Sequence, residues 1–220
     1  MRIRQSRPAV AAAAVAVVML TLMMTLLSAC GGEGDAGDGQ GAAPASSPTG
    51  TIATPDTGPA EAPLLSLSGP EGAAELTYSE ITELPSFTGW AGIKTQAAKL
   101  IGPDEYTGVK LIELAELVGG ASSGSTVTVT AADGYAVDLS YEQLQGDGFV
   151  TYDAQTGEEA AATQALTPIL AYERGGGPLD AERDGRVMIQ VAQAKPGQLV
   201  DARWAASAVV SIEIAPGTSQ

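Results

Sequence analysis

The stretch STVTVTAADGYAVDL, residues 125–139, is the part of the sequence that decides the fold class. Threonines alternate with Val127 and Val129 in its first half, and the alternation resumes after Asp133-Gly134. Alternation with period two is typical of a half-buried strand, and Asp-Gly between two such runs is typical of a type I′ hairpin turn. The stretch therefore predicts a β-hairpin with one face turned towards a core.

Other alternating or apolar runs predict further strands on both sides of this hairpin. These runs cover residues 64–69, 148–152, 167–173, 186–192 and 208–214. Gly175-Gly176-Gly177-Pro178 interrupts the chain between two of them, as glycine and proline do at turns. Many short strands of this kind indicate that β-sheet dominates the domain.

Two short segments have the pattern of helices. Residues 80–84 follow Ser79, a residue type that caps helix N-termini. Residues 110–118 have helical periodicity, and Gly119-Gly120 provides a stop. The four apolar residues on the predicted buried face of this second helix are Leu111, Leu114, Leu117 and Val118. Two or three short helices beside many strands make the predicted fold class α+β, mostly β.

The chain begins with a basic and then apolar segment that ends at its single cysteine, Cys30. Three arginines precede the apolar residues 9–27, which is the layout of a secretory signal peptide. Leu27-Ser28-Ala29-Cys30 resembles the lipobox of bacterial lipoproteins. The alternative is a transmembrane helix, because the apolar run is almost long enough to span a bilayer. We expect residues 1–29 to be a lipoprotein signal peptide, Cys30 to be lipidated, and the protein to be extracytoplasmic and anchored at the cell membrane by its lipid.

The composition changes twice after Cys30. Residues 30–63 are rich in Gly, Ala, Pro and Ser without periodicity, and they offer too little apolar area to offset the entropy of ordering. They are predicted to be a disordered tether. Residues 64–215 carry the alternating patterns and suit one domain, and residues 216–220 form a short tail.

Composition excludes several function classes. All 26 acidic residues follow Cys30, against eight of the basic ones, so that this part has a formal net charge of −18. Such a surface repels nucleic acid, which is therefore not an expected partner. The chain has no histidine. A Ser-His-Asp triad and most zinc sites are thereby excluded, and a single cysteine forms no disulfide within the chain.

Several short motifs follow one another along residues 64–215. They are Tyr106-Thr-Gly108-Val-Lys-Leu111, Asp133-Gly134-Tyr135, Leu170-Ala-Tyr172-Glu173, Gly177-Pro178-Leu179, Gly185-Arg-Val-Met-Ile-Gln-Val191, and Arg203-Trp204 before a final Val/Ile strand. Their order and spacing resemble the molybdopterin-binding domain of the sulfite oxidase family. The resemblance implies that fold for residues 64–215, and it implies molybdopterin as a cofactor to be considered.

Four residues of these motifs are the candidate cofactor-binding residues: Tyr106, Gly108, Asp133 and Tyr135. Tyr106 and Gly108 precede the predicted helix 110–118, whose N-terminal N–H groups suit an anion such as a phosphate. Asp133 and Tyr135 lie at the predicted hairpin tip, where a ligand could contact them. The alternatives are structural: Asp133 suits a turn, Tyr106 packs in the core, and Gly108 permits a tight start to the helix.

The sequence departs from the family where catalysis is concerned. Catalytic members ligate molybdenum through a cysteine that precedes the motif at Tyr106, and no cysteine follows Cys30 in this chain. The corresponding segment, residues 86–94, offers only Thr88, a poor substitute for a soft thiolate. The family also holds the pterin phosphate with basic residues, and the eight that remain here form no cluster along the sequence. No catalytic or metal-binding residue is predicted, and no cofactor is expected.

Two further groups of residues have functional and structural interpretations. Acidic residues that suggest calcium ligands or paired catalytic carboxylates are Asp153, Glu158, Glu159, Asp180, Glu182 and Asp184. Their spacing matches no EF-hand, and solvated loops explain them better. Trp90 and Trp204 could line a cleft, although tryptophans in a domain with few aromatics more often anchor the core.

Three hypotheses about function follow from the sequence. The first is a non-catalytic module that binds a small ligand or an envelope protein partner. The second is a molybdopterin-dependent oxidoreductase or redox protein that lacks cysteine ligation of the metal. The third is a structural subunit of the cell envelope.

Overall fold

Two β-sheets form the framework of residues 61–217, the part of the chain that the computed structural model describes. The strands are β1 (Leu65–Gly69), β2 (Gly72–Leu76), β3 (Phe87–Lys94), β4 (Leu100–Lys110), β5 (Thr126–Ala131), β6 (Ala136–Ser140), β7 (Thr151–Asp153), β8 (Glu159–Ala160), β9 (Leu166–Arg174), β10 (Gly177–Pro178), β11 (Met188–Gln193), β12 (Gln198–Asp201) and β13 (Val209–Ala215). Three short helices and a 3₁₀ turn at Ala202–Trp204 complete the regular secondary structure of the described residues. The predicted class, α+β and mostly β, is confirmed.

The first helix, α1 (Tyr78–Glu83), begins before the predicted segment and uses a different cap. The Thr77 hydroxyl accepts a hydrogen bond from the Glu80 N–H at 3.2 Å, and the Glu80 carboxylate accepts one from the Thr77 N–H at 2.7 Å. This reciprocal capping box satisfies two N–H groups that a helix leaves without partners. Ser79, the predicted cap, instead donates its hydroxyl to the Glu61 carboxylate at 2.6 Å.

The second helix, α2 (Leu111–Glu116), is shorter than predicted, and one of its four predicted core residues is wrong. Leu111, Leu114 and Val118 are buried, whereas Leu117 is 47% exposed. Ala115 is buried in its place, so that the buried arc is centred near Leu111 and position 117 falls about 110° from that centre. The helix ends before Gly119-Gly120, as the glycine pair predicts.

A third helix, α3 (Tyr141–Leu144), was not predicted. It starts with a capping box between Ser140 and Gln143, and it follows β6 directly. Four residues are too few for helical periodicity to be visible in a sequence.

The predicted hairpin is present as β5 and β6, but the predicted type I′ turn is wrong. Of the turn residues only Gly134 has a left-handed φ, +85°. The Gly134 N–H donates to the Ala131 carbonyl at 3.0 Å, and the Ala131 N–H donates to the Tyr135 carbonyl at 2.8 Å. These contacts define a three-residue loop with a glycine bulge, since a type I′ turn needs positive φ at two successive residues.

The hairpin belongs to a five-stranded sheet with the order β2-β1-β13-β5-β6. β1 and β13 run parallel, and the other neighbours are antiparallel. One face of this sheet supplies much of the main core, together with α1, α2 and part of the second sheet. Its fully buried residues include Leu67, Val127, Val129, Ile212 and Ile214.

In the second sheet, four strands close on one another. β9 pairs with β11, β11 meets β3 at Gln193 and Trp90, β3 pairs with β4, and β4 returns to β9. We call β9, β11, β3 and β4 the four-strand ring. A second core fills one side of it and includes Ala91, Tyr106, Ile169, Ala171 and Met188. β10, β12, β7 and β8 extend the sheet beyond the ring.

The predictions for residues 1–60, including the signal peptide, the lipidated Cys30 and most of the tether, lie outside the described residues. Glu61 falls within the predicted tether, and its carboxylate contacts Arg186 at 3.5 Å as well as Ser79. No helix in residues 61–217 has the length and apolarity needed to cross a bilayer.

Candidate functional site

A cleft of about 440 Å³ opens against the four-strand ring, and every strand of the ring contributes to its wall. β3 supplies Ala91 and Ile93, β4 supplies Tyr106, β9 supplies Arg174, and β11 supplies Gln190. The volume falls within the usual range of small-molecule sites, and apolar walls with a few polar groups are the usual lining of such sites. We take this cleft as the candidate functional site.

A bulge in β9 turns Arg174 into the cleft. Along the β4–β9 pairing, Gly108 lies opposite Ala171 but Thr107 lies opposite Glu173, so β9 carries one extra residue at this point. Side chains alternate between the faces of a strand, and an extra residue reverses the alternation beyond it. Arg174 therefore lies on the same face as Ala171, the face that also carries Met188 and Gln190 of β11.

Basic residues cluster around this cleft, contrary to the expectation from the sequence. Three of the eight basic residues that follow Cys30 line it: Lys99, Arg174 and Arg183. The strand pairing of β4 with β9 joins residues that are 59 to 68 positions apart. A search for basic runs along the sequence could not find such a cluster. Asp104 and Asp184 are the acidic residues of the lining.

Asp184 holds the two arginines in place. Its carboxylate accepts two hydrogen bonds from Arg183, from Nε at 2.9 Å and from Nη2 at 2.6 Å, and Arg174 Nη1 lies 3.7 Å from it. Asp184 is 7% exposed. The prediction that it belongs to a solvated loop is therefore wrong. The bidentate hydrogen bonding between Asp184 and Arg183 neutralises the charge of Arg183. The longer contact between Asp184 and Arg174 leaves the Arg174 guanidinium able to bind a further anion.

Hydrogen bonding and burial act in opposite directions on the groups of the cleft. The hydrogen bonds from Arg183 lower the pKa of the Asp184 carboxyl, against the opposing effect of burial. Burial raises the pKa of the Tyr106 hydroxyl, and the nearby Arg174 guanidinium offsets part of that rise. At neutral pH the cleft therefore presents an ionised Asp184 and a protonated Tyr106, which remains a hydrogen-bond donor.

We expect Asp184→Asn to lower the free energy of unfolding by about 1–2 kcal/mol at pH 7, because charge-assisted hydrogen bonds are lost. The folded-state pKa is lowered, so the ion pair stabilises the fold above the unfolded-state pKa of about 3.9, and this contribution is lost as pH falls through the folded-state value. The difference between variant and wild type should therefore shrink at pH 3. Urea unfolding at both pH values measures it, with the exposed Asp147→Asn as the control. An equal difference at pH 3 and pH 7 would contradict the assignment.

Of the four predicted site residues, the structure brings only Tyr106 to the cleft. Gly108 lies two residues further along β4, buried against β9 and not in the cleft lining. Both residues precede α2, as predicted, but they belong to strand β4, which continues to Lys110 and separates them from the first turn at Leu111.

Asp133 and Tyr135 lie in the other sheet, at the β5–β6 turn, and are not among the residues that line the cleft. The Asp133 carboxylate accepts a hydrogen bond from the Tyr135 N–H at 2.9 Å, and the Tyr135 hydroxyl donates to the Arg203 carbonyl at 3.0 Å. These contacts fit the structural alternative, in which the two residues shape the turn.

Gln190 is a site residue that the sequence reasoning missed. It is 4% exposed, and its amide nitrogen has only the Met188 sulfur nearby, at 3.8 Å. Thioether sulfur is a weak acceptor, and buried carboxamides ordinarily have good partners. The signal in the sequence was a polar residue inside the apolar run of β11. A carboxamide placed this way at the wall of a cleft is suited to a ligand.

A second, shallower cleft of about 490 Å³ adjoins the first. It is lined by Trp90, Glu105 and Gly175, and it shares Asp104 and Arg174 with the main cleft. Trp90 is half-buried there. Because it lines the same cleft as Arg174, its fluorescence can report on changes at Arg174. Trp204, in contrast, packs edge-on against Phe149 with 5.6 Å between ring centres.

The cleft fits the phosphate of a molybdopterin but not its metal. Arg174, together with Lys99, could balance part of the charge of a phosphate. A metal ligand of the expected kind is missing from the lining, which has no thiolate or imidazole and only the Met188 thioether as a sulfur group. Within residues 61–217, no three carboxylate, cysteine or histidine groups are arranged to hold a metal ion. We therefore derive no reaction step through this cofactor.

Comparisons with known proteins found similarity only to solved structures. No protein-family model matches the sequence, and no curated protein is significantly similar to it. Nine chains of solved structures are similar, among them the sulfane dehydrogenase SoxCD from Paracoccus pantotrophus, with a TM-score of 0.49 and 16% identity. That alignment covers 68% of this chain, which spans 37% of the length of SoxCD.

Proposed function

We propose that this chain is an exported, lipid-anchored binding module that holds a small ligand in the cleft beside Arg174 and does not catalyse a reaction. The sequence before Cys30 supports export and anchoring, because it has the layout of a lipoprotein leader. The cleft supports the binding role, and its geometry carries the proposal.

The observation that carries the binding role is the convergence of donors from different strands on one cavity. Arg174, Tyr106 and Gln190 come from β9, β4 and β11, and all three line the same 440 Å³. Arg174 and Gln190 have hydrogen-bonding capacity that the protein does not fill. Arg174 meets its carboxylate only at 3.7 Å, and Gln190 meets only a thioether. Polar groups held in this way favour a ligand that completes their hydrogen bonds.

A non-catalytic role is supported by what the cleft offers chemically. A nucleophilic mechanism needs an activated nucleophile beside a base. The carboxylate most buried in the lining, Asp184, is occupied by Arg183, and the Tyr106 hydroxyl is held protonated by burial. These groups bind and orient well, and they are poorly placed to exchange protons near neutral pH.

A molybdopterin-dependent oxidoreductase is the second candidate, favoured by Arg174 and Lys99 in the lining of the cleft. Metal and pterin analysis tests it on the full chain produced in a host that makes the molybdenum cofactor. Stoichiometric molybdenum or tungsten together with oxidised pterin would establish this candidate over the first. Their absence, with an authentic molybdopterin enzyme loaded in the same host, would remove it.

Ligand binding is expected to change the fluorescence of Trp90 and to depend on Arg174. The chain has two tryptophans, so Trp204→Phe leaves Trp90 as the single reporter next to Arg174. In a screen of small molecules against this variant of the full chain, we expect Arg174→Met to weaken binding at least about tenfold, because a charge-assisted hydrogen bond is lost. Arg186→Met, which removes an arginine outside the cleft lining, is the matched control. Binding that is indifferent to Arg174→Met would contradict the assignment of the site.

Cys30→Ser is expected to abolish lipidation. Labelled fatty acid should enter the wild-type chain and not the variant, since only the cysteine thiol accepts the anchor. Ser47→Ala, in the predicted tether, should behave as the wild type. A wild-type chain that stays in the membrane fraction without taking up the label would instead favour a transmembrane helix at residues 9–27.

A further inference from the structure

We infer that the ligand is a small organic carboxylate with one negative charge, a short apolar body and an uncharged polar group at its far end. The inference rests on the proposed function and names the class of molecule that the cleft takes. Three features of the cleft carry it: one available guanidinium, an apolar wall and a buried carboxamide.

The charges of the cleft select a single anionic group. Arg183 is neutralised by its two hydrogen bonds to Asp184. Lys99 and Asp104 are exposed at the rim and have opposite charges. The remaining charge is that of Arg174, whose side chain is 33% exposed. A planar guanidinium fork matches the two oxygens of a carboxylate, and the protonated Tyr106 adds a donor beside it.

The apolar wall of the cleft favours a ligand with a hydrocarbon body. Ile93, Ile101 and Met188 line the cleft between its polar groups. A volume of 440 Å³ corresponds to about fifteen water molecules at their liquid volume, so an inorganic oxyanion on its own would leave most of the cleft filled with water. Displacing water from apolar side chains is favourable, and a carbon chain attached to the carboxylate would do so.

The buried carboxamide calls for a second polar group on the ligand. Gln190 lies opposite Ile169, which is five residues before Arg174 on β9 and separated from it by roughly 16 Å of strand. The two long side chains reach into one cleft and shorten that gap. A hydroxyl or carbonyl group at the end of a short chain would give Gln190 the partner that the Met188 sulfur does not provide.

A series of carboxylates tests the inference by titration calorimetry on the full chain, purified in detergent. The probes are acetate, butanoate, hexanoate, 6-hydroxyhexanoate and sulfate. We expect affinity to rise about fourfold for each methylene until the cleft is filled. We expect 6-hydroxyhexanoate to bind more tightly than hexanoate, and Gln190→Leu to remove that advantage. Arg174→Met should weaken every probe, and Arg186→Met none.

The outcomes separate this inference from the function on which it rests. Sulfate that binds as tightly as hexanoate, with dependence on Arg174, would overturn the organic ligand and leave the binding function standing. The same holds if no carboxylate binds while the Trp90 screen finds ligands of another class. If neither the carboxylates nor the screen gives binding that depends on Arg174, both the inference and the proposed function fail. Thermal unfolding of Arg174→Met and Gln190→Leu confirms that each variant is folded when it is titrated.

Discussion

Gly108→Ala is expected to destabilise the fold by about 3 kcal/mol or more, because a side chain at this position collides with the backbone of β9. A Cβ atom built there would lie 2.6 Å from the Ala171 Cα and closer still to the Leu170 carbonyl oxygen. Backbone atoms in a paired strand cannot move aside as the end of a side chain can. Gly177→Ala is the matched control, since a Cβ there meets nothing within 4 Å. Urea unfolding of the two variants measures the difference.

The same substitution should also weaken ligand binding. Gly108 lies opposite Ala171, at the bulge that turns Arg174 into the cleft. Forcing β4 and β9 apart at this point would displace the guanidinium, although Gly108 itself does not line the cleft. The expected pattern is loss of stability and loss of affinity together in Gly108→Ala, with both retained in Gly177→Ala. A Gly108→Ala chain as stable as the wild type would show that β4 and β9 are not as close as described.

Leu114→Ala is expected to cost about 2–5 kcal/mol of stability, whereas Leu117→Ala should cost less than about 0.5 kcal/mol. The two leucines lie three positions apart at α2, but Leu114 is 0% exposed and Leu117 is 47% exposed. Removal of the buried side chain leaves a cavity in the main core, and removal of the exposed one leaves none. Denaturant midpoints of the two variants provide the comparison.

This pair also tests the orientation of α2 directly. The sequence pattern placed both leucines on the buried face, and the structure places only one of them there. Similar losses in the two variants would favour the orientation inferred from the sequence. The expected difference is several times the uncertainty of an unfolding experiment, so the outcome discriminates clearly.

Elements with regular side-chain alternation could be predicted from the sequence, and elements rich in glycine could not. The β5–β6 hairpin and strands β9, β11 and β13 lie within two residues of their predicted bounds. β3, in contrast, contains Gly89 and Gly92, both buried where other chain segments come close. A Cβ at Gly89 would lie 2.7 Å from the Gln193 carbonyl oxygen. Glycines required by such close packing erase the alternation by which a strand is recognised.

The candidate site was predictable only in part, because most of it is assembled by pairing between distant strands. Tyr106 was found through a local motif. Arg174 and Asp184 were not, since nothing local shows that a bulge turns the arginine inward or that the aspartate is buried. Gln190 did leave a local signal, as a polar residue between apolar residues of a strand, and its weak thioether partner became visible only in the structure.

The position of β13 has a consequence for how the domain is made. It is the last strand of the described chain, yet it lies in the middle of the five-stranded sheet, between β1 and β5. Until it has been synthesised, this sheet can form only as two separate hairpins, β1–β2 and β5–β6, and an isolated hairpin is marginally stable. Leu67, Val127 and Val129 then have no sheet to bury them. This part of the nascent chain therefore stays open to chaperones and proteases until β13 emerges, and a premature stop before Val209 would leave the two hairpins of this sheet without the strand that joins them.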